Sequence, residues 1–272
     1  MKYLTAEEHM QVVSRLIAFL SSIEGVEIHS AGIEYTSLMM CFAMHSKSAC
    51  ESLLTLQRTS GSEWFASTTG YLIVRSLFEV DVTAHYISQA PIERSRRYID
   101  FEHVIQKKTL EAIERHRTSG NSSWKEGMEL LYKNEYAPRK NKIDSAYANV
   151  RAQFEDRNGK RATSWSGKSI YAMAKEVDHL EAYEIFYADL SSFAHVNVML
   201  ANRFLRSEGW KGKGPLWSQR ADEFDVGQVF QYAASFLTCF LELFGKEFKL
   251  WDKARVLDCW NFPEADEQRG QH

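Results

Sequence analysis

The sequence predicts an all-α fold, a bundle of five to six long helices carrying a basic, loop-rich insertion. Three observations lead there. Apolar residues recur at three- and four-residue intervals through most of the 272 positions, the period of a helix face. Only four prolines occur, Pro91, Pro138, Pro215 and Pro263, each where that pattern has already stopped. No Asn-Gly or Asp-Gly pair is flanked by the alternating apolar residues that a hairpin needs.

The first helix begins after Thr5, which with Glu8 makes a capping box, and carries Val12, Val13, Leu16, Ile17 and Leu20 on one face. A second runs over about 33–58 and a third over about 63–88, divided by the break Thr59-Ser-Gly-Ser62. Pro91 opens the way to a fourth, about 92–117, which begins with the basic run Arg94-Ser-Arg96-Arg97. Residues 118–168 form the insertion, with two short helices broken at Pro138 and a second half without apolar periodicity. A fifth main helix is expected over about 180–206, then a Gly-rich break over 207–215. The last helix, about 222–250, is apolar on a broad face and reads as the central core helix or a dimer seam. Altogether the chain reads as a single helical domain over 1–272, with its core at about 31–206.

Composition narrows the function classes. Hydrophobic content of 44% with 25% charged residues is that of a globular protein, and the longest apolar helix is broken too often by polar residues to span a membrane. Cys41, Cys50, Cys239 and Cys259 show no paired spacing, and no secretory signal opens the sequence, so a cytoplasmic protein with reduced thiols is expected. A net charge of −3 argues against coating nucleic acid wholesale. Yet residues 103–168 hold 14 Lys/Arg against 8 Asp/Glu, so charge is segregated. That stretch reads as a solvated face or as a surface for anions or nucleic acid.

The candidate site lies on two helices. Tyr183, Tyr187, Ser191 and His195 recur every four residues, a stripe of hydroxyls ending in an imidazole. Arg75 and Glu79 lie one turn apart among Leu72, Ile73, Val74, Leu77, Phe78 and Val80. A partly buried Arg needs a carboxylate or an anion. The pair therefore ties helices together or faces His195 and the tyrosines in a shared pocket. Trp165, in a polar loop beside Gly167 and Lys168, plugs the domain or closes over a ligand; the plug is preferred.

Other chemistries find less support. Nothing marks a nucleophile elbow for a Ser191–His195 pair. Ser166-Gly-Lys-Ser169 lacks the first glycine of a phosphate loop, whose place Ala162 takes. Asp100-x2-His103 and Glu176-x2-His179 have the spacing of a carboxylate-bridged metal pair, but the first starts with Asp and the second sits at a helix boundary. No metal and no cofactor is expected.

The ordered set Arg75-x3-Glu79, Tyr86, Trp165-x-Gly-Lys168 and Tyr183-x3-Tyr187-x3-Ser191-x3-His195 resembles an uncharacterised, mostly bacterial helical family known as a domain of unknown function. The resemblance covers about residues 35–205. The Ser-x3-His ending also resembles a degenerate HEPN motif, with Ser191 where an Arg is usual. An Arg97 six positions before His103 fits the HEPN spacing too, but 17 arginines and nine histidines supply about two such matches by chance. HEPN domains are small helical bundles, often dimeric, found in prokaryotic defence ribonucleases and in noncatalytic modules.

The resemblance implies a protein that binds or acts on RNA, a defence or toxin ribonuclease without metal. His195 would be the acid–base group, Arg75 the phosphate clamp, and Tyr187 and Ser191 their supports, with Glu79, Tyr183, Trp165 and Lys168 as binding or network residues. The expected partners are RNA and a second copy, docked through the C-terminal helix. The alternative is a noncatalytic interaction module whose polar stripe is structural.

Overall fold

The structure, a computed structural model, describes residues 4–26, 28, 32–59, 63–118, 124–187, 190–191 and 223–262. It is all-α, as the periodicity predicts. Where the sequence reads as one domain, the chain divides into two compact units. One is drawn from Met1–Gln89 with Ile170–His272, the other is Ala90–Ser169.

In the first unit, α1 (Ala6–Ser21) starts at the expected capping box: Glu8 N donates to Thr5 Oγ1 at 3.2 Å and Thr5 N to Glu8 Oε2 at 2.6 Å. The long helices α2 (Ile33–Thr59) and α3 (Glu63–Ser88) lie against each other. The short α7 (Ile170–Glu176) lies on α3 and is followed by one turn, α8 (Leu180–Ala182). The last long helix, α9 (Glu223–Phe248), packs on α3 and α1. Its broad apolar face is thereby the core of this unit, with Val229, Phe230, Ala233, Leu237, Phe240, Leu241 and Phe244 buried. Close approach to α3 is made at Gly70, where a Cβ would stand 2.7 Å from Val229 Cγ1. Finally α10 (Lys253–Leu257), capped by Asp252, brings the chain back along α9. Trp251 before it stacks on Phe244 with centroids 5.9 Å apart.

The second unit is built on α4 (Pro91–Thr118), whose first residue is the proline that carries no N–H to leave unsatisfied. Helix α5 (Lys125–Leu131), a π turn (Tyr132–Tyr136) and a 3-10 turn (Ala137–Arg139) at Pro138 lead into α6 (Lys140–Phe154). A small core of Phe101, Val104, Tyr147, Val150 and Phe154 joins α4 to α6. The two helices broken at Pro138 stand as the sequence predicts, and α6 buries Ile143, Tyr147, Val150 and Phe154 along one face. Past α6, where a loop was expected, the chain makes a single antiparallel bridge, Glu155 to Arg161, around Asn158-Gly159. Gly159 supplies the left-handed φ of 75° that this turn requires.

Among the described residues no helix is long and apolar enough to cross a membrane.

Candidate functional site

Arg75 and Glu79 sit one turn apart on α3, and the guanidinium is held along one edge. Its Nε donates to Glu79 Oε1 at 3.0 Å and Nη2 donates to Tyr187 Oη at 3.1 Å. The phenol closes the triangle, donating to the same Glu79 oxygen at 2.8 Å. Arg75 also lies over the Tyr187 ring, 5.2 Å from its centroid. The arrangement is neither sealed nor loose. The Arg75 side chain stays 25% exposed and that of Glu79 38%, and Nη1 has no hydrogen bond among the described residues.

Tyr187 reaches Arg75 because residues Tyr183–Tyr187 form a π turn rather than α-helix. The wider turn departs from the 3.6-residue period on which the stripe rests, a form often met at functional sites. Here it stacks Tyr183 on Tyr187 with centroids 4.8 Å apart, while Phe78 lies against both rings. Burial, reinforced by the hydrogen bond to Glu79, raises the Tyr187 phenol above its ordinary value. It is therefore a donor at neutral pH rather than a base. Burial works against the Arg75 charge, but Glu79 and Tyr187 outweigh it and raise the group further.

The other expected residues fall elsewhere. Ser191 is helical and half-buried, and His195 lies outside the described residues. Trp165 and Lys168 belong to the second unit. There the Trp165 ring lies edge-on to Tyr98 at 5.1 Å, its carbonyl accepts from Arg97 Nε at 2.7 Å, and it covers the small core. Lys168 contributes backbone, its carbonyl accepting from Ser164 Oγ at 3.1 Å and Ser166 Oγ at 3.2 Å. The structure thus brings Arg75, Glu79, Tyr183 and Tyr187 together, and puts Trp165 and Lys168 in the other compact unit. The basic stretch is laced with ion pairs: Arg161 grips Glu111 with both Nη atoms at 2.6 and 2.8 Å, and Lys107 meets Asp144 at 2.7 Å.

A second polar group lies deeper and was not singled out in the sequence. Among the described residues, Asp81, His85 and His179 each offer a donor atom within 4.8 Å of those of the other two, close enough to share a cation. The Asp81-x3-His85 spacing on one helix is the signal that could have found it. His179 had been noted, but beside Glu176 rather than Asp81.

The model of a family of unknown function (DUF5677) matches residues 38–213, and the chain belongs to that family. The matched stretch nearly coincides with the one that carries the ordered motifs. No curated protein and no solved structure matches the chain.

Proposed function

We propose that this protein acts on RNA as a HEPN-like helical effector, with Arg75 as the phosphate contact and His195 as the acid–base group. The observation that supports it is the half-engaged guanidinium. Arg75 is oriented along one edge by Glu79 and Tyr187, its side chain stays 25% exposed and its Nη1 has no hydrogen bond among the described residues, an arrangement that suits a fork-shaped contact to phosphate. Tyr187, held protonated and donating to Glu79, fixes the guanidinium rather than contacting the phosphate itself. Cleavage in this scheme follows the metal-free route, in which a base removes the 2′-hydroxyl proton and a fixed cation stabilises the charge that develops on the phosphorus oxygens. The setting of such an effector is the bacterial cytoplasm, in defence or as a toxin.

The closed Arg75–Glu79–Tyr187 triangle favours a second reading, a noncatalytic module in which Glu79 already neutralises the arginine and the stripe is structural. The experiment that separates them is incubation of a mixed RNA pool with pure protein in excess chelator, alongside Arg75→Ala and His195→Ala. The RNA reading expects cleavage that each variant lowers on the order of a hundredfold with folding intact. No cleavage by the wild type, together with a lowered melting temperature in Arg75→Ala, supports the structural module instead.

A further inference from the structure

We infer that Asp81, His85 and His179 form a binding site for a divalent transition cation of the zinc class, independent of the Arg75 corner. The two sites share α3 but not a face, since Asp81 lies about 200° around the helix from Glu79. Asp81 and His85 stand one turn apart on α3, and His179 follows α7, which packs there.

Three features point to a ligand. First, the set is of the right kind: two imidazoles and a carboxylate are the donors of open zinc and related sites. Donors held about 2.1 Å from one ion lie within about 4.2 Å of each other, so a spacing of 4.8 Å or less needs only a small side-chain rotation. Second, the group is unsatisfied as it stands. Asp81 is 2% exposed, and its Oδ1 has no hydrogen-bond partner among the described residues although His85 Nδ1 lies 3.1 Å away. His179 Nδ1, 3.6 Å from Asp81 Oδ2, is likewise buried without a hydrogen bond. The ion-pair contact to His85 leaves Asp81 Oδ1 without a well-formed hydrogen bond, which is costly at this depth, and a shared cation would satisfy both atoms together.

Third, both imidazoles turn toward the one carboxylate: His85 Nδ1 lies 3.1 Å from Asp81 Oδ1 and 3.0 Å from the Asp81 carbonyl oxygen, and His179 Nδ1 lies 3.6 Å from Asp81 Oδ2.

The group opens on a cavity of about 590 Å³ that His85 and His179 line together with Cys239, Glu242, Trp251 and Lys253. An ion there would have three protein ligands and a free side facing that space, as in catalytic rather than structural zinc sites.

The test is to strip the full-length protein with chelator, dialyse it, and titrate it with Zn2+ by calorimetry and with Co2+ by visible absorption. The expected result is one Zn2+ per chain, a raised melting temperature, and a Co2+ spectrum of low-symmetry nitrogen and oxygen coordination. His179→Gln should weaken binding at least about tenfold, and Asp81→Asn further. Should Asp81→Asn fail to fold, His179→Gln decides, because that ring is partly exposed at the end of its turn. Folded wild type that binds neither ion, or His85→Gln and His179→Gln variants that bind as the wild type does, would overturn the site. The readout involves no RNA, so its failure is distinct from that of the Arg75 reading.

Discussion

The unit formed by Ala90–Ser169 is held by charges paired near its surface around five core side chains, whereas the other unit encloses a large aromatic core and places polar groups inside it. Arg161, Glu111, Tyr147 and Glu155 form a network in which each charge has a partner. Asp81 Oδ1 and His179 Nδ1 are buried without a hydrogen bond, as are His103 Nδ1 and Arg117 Nε of the smaller unit, but among the described residues Asp81 is the buried carboxylate, 2% exposed. Exposed ion pairs cost little to form and contribute little, while an unsatisfied buried carboxylate is costly and persists for some other reason. A chemical role is therefore best sought in the apolar unit, although the sequence puts the basic excess in the other.

Truncating the two cores should break this comparison most visibly. Phe244→Ala removes a fully buried ring from α9 and should destabilise the protein by about 3–5 kcal/mol in urea unfolding. Phe154→Ala should cost a similar amount but act locally, with faster amide exchange in α4 and α6 and unchanged protection in α9. Loss of protection in α9 as well would mean that the units unfold as one.

Overpacking is the next largest effect. Gly70→Val forces a branched side chain against Val229 and should cost about 1–3 kcal/mol, read as a lower melting temperature. Smaller still, Arg161→Ala should cost about 1 kcal/mol or less, since both partners are partly exposed, and high salt should shrink the difference. Acid acts on the Ala90–Ser169 unit with a definite sign. Hydrogen bonds from Tyr147 and Arg151 bring the Glu155 carboxyl down to about 2, and Arg161 lowers Glu111. A carboxylate lowered in the folded state stabilises fully above its unfolded value near 4.3, and that contribution is lost as pH falls toward about 2. Amide exchange in α4 and α6 should accelerate over that window. Unchanged exchange there would contradict the network.

Much of the frame was legible beforehand. Thr5 and Glu8 fixed the start of α1, and Pro91 separated α3 from α4 because its ring and missing N–H act locally. The Arg75–Glu79 pair was legible for the same reason, being one turn apart. Its third member was half legible: Tyr187 was marked by spacing, but the π turn that aims it at Arg75 packs its Tyr187 on Phe78 and its Phe186 on Phe236, contacts that spacing does not show. The Asp81–His85–His179 group was not read, because its third residue is 94 positions from His85 and spacing is silent at that range. The hairpin at Asn158-Gly159 was missed because its flanks are charged rather than alternating.

The most direct test of the central claim is RNA affinity against salt for the wild type, Arg75→Ala and Glu79→Gln, measured in chelator. If Arg75 contacts phosphate, Arg75→Ala should weaken binding and reduce the slope of log affinity against log salt by about 0.7. Glu79→Gln, which removes a like charge and frees the guanidinium, should strengthen it. Affinity unchanged in both variants, with both melting earlier than the wild type, would contradict the account and leave the corner a structural tie.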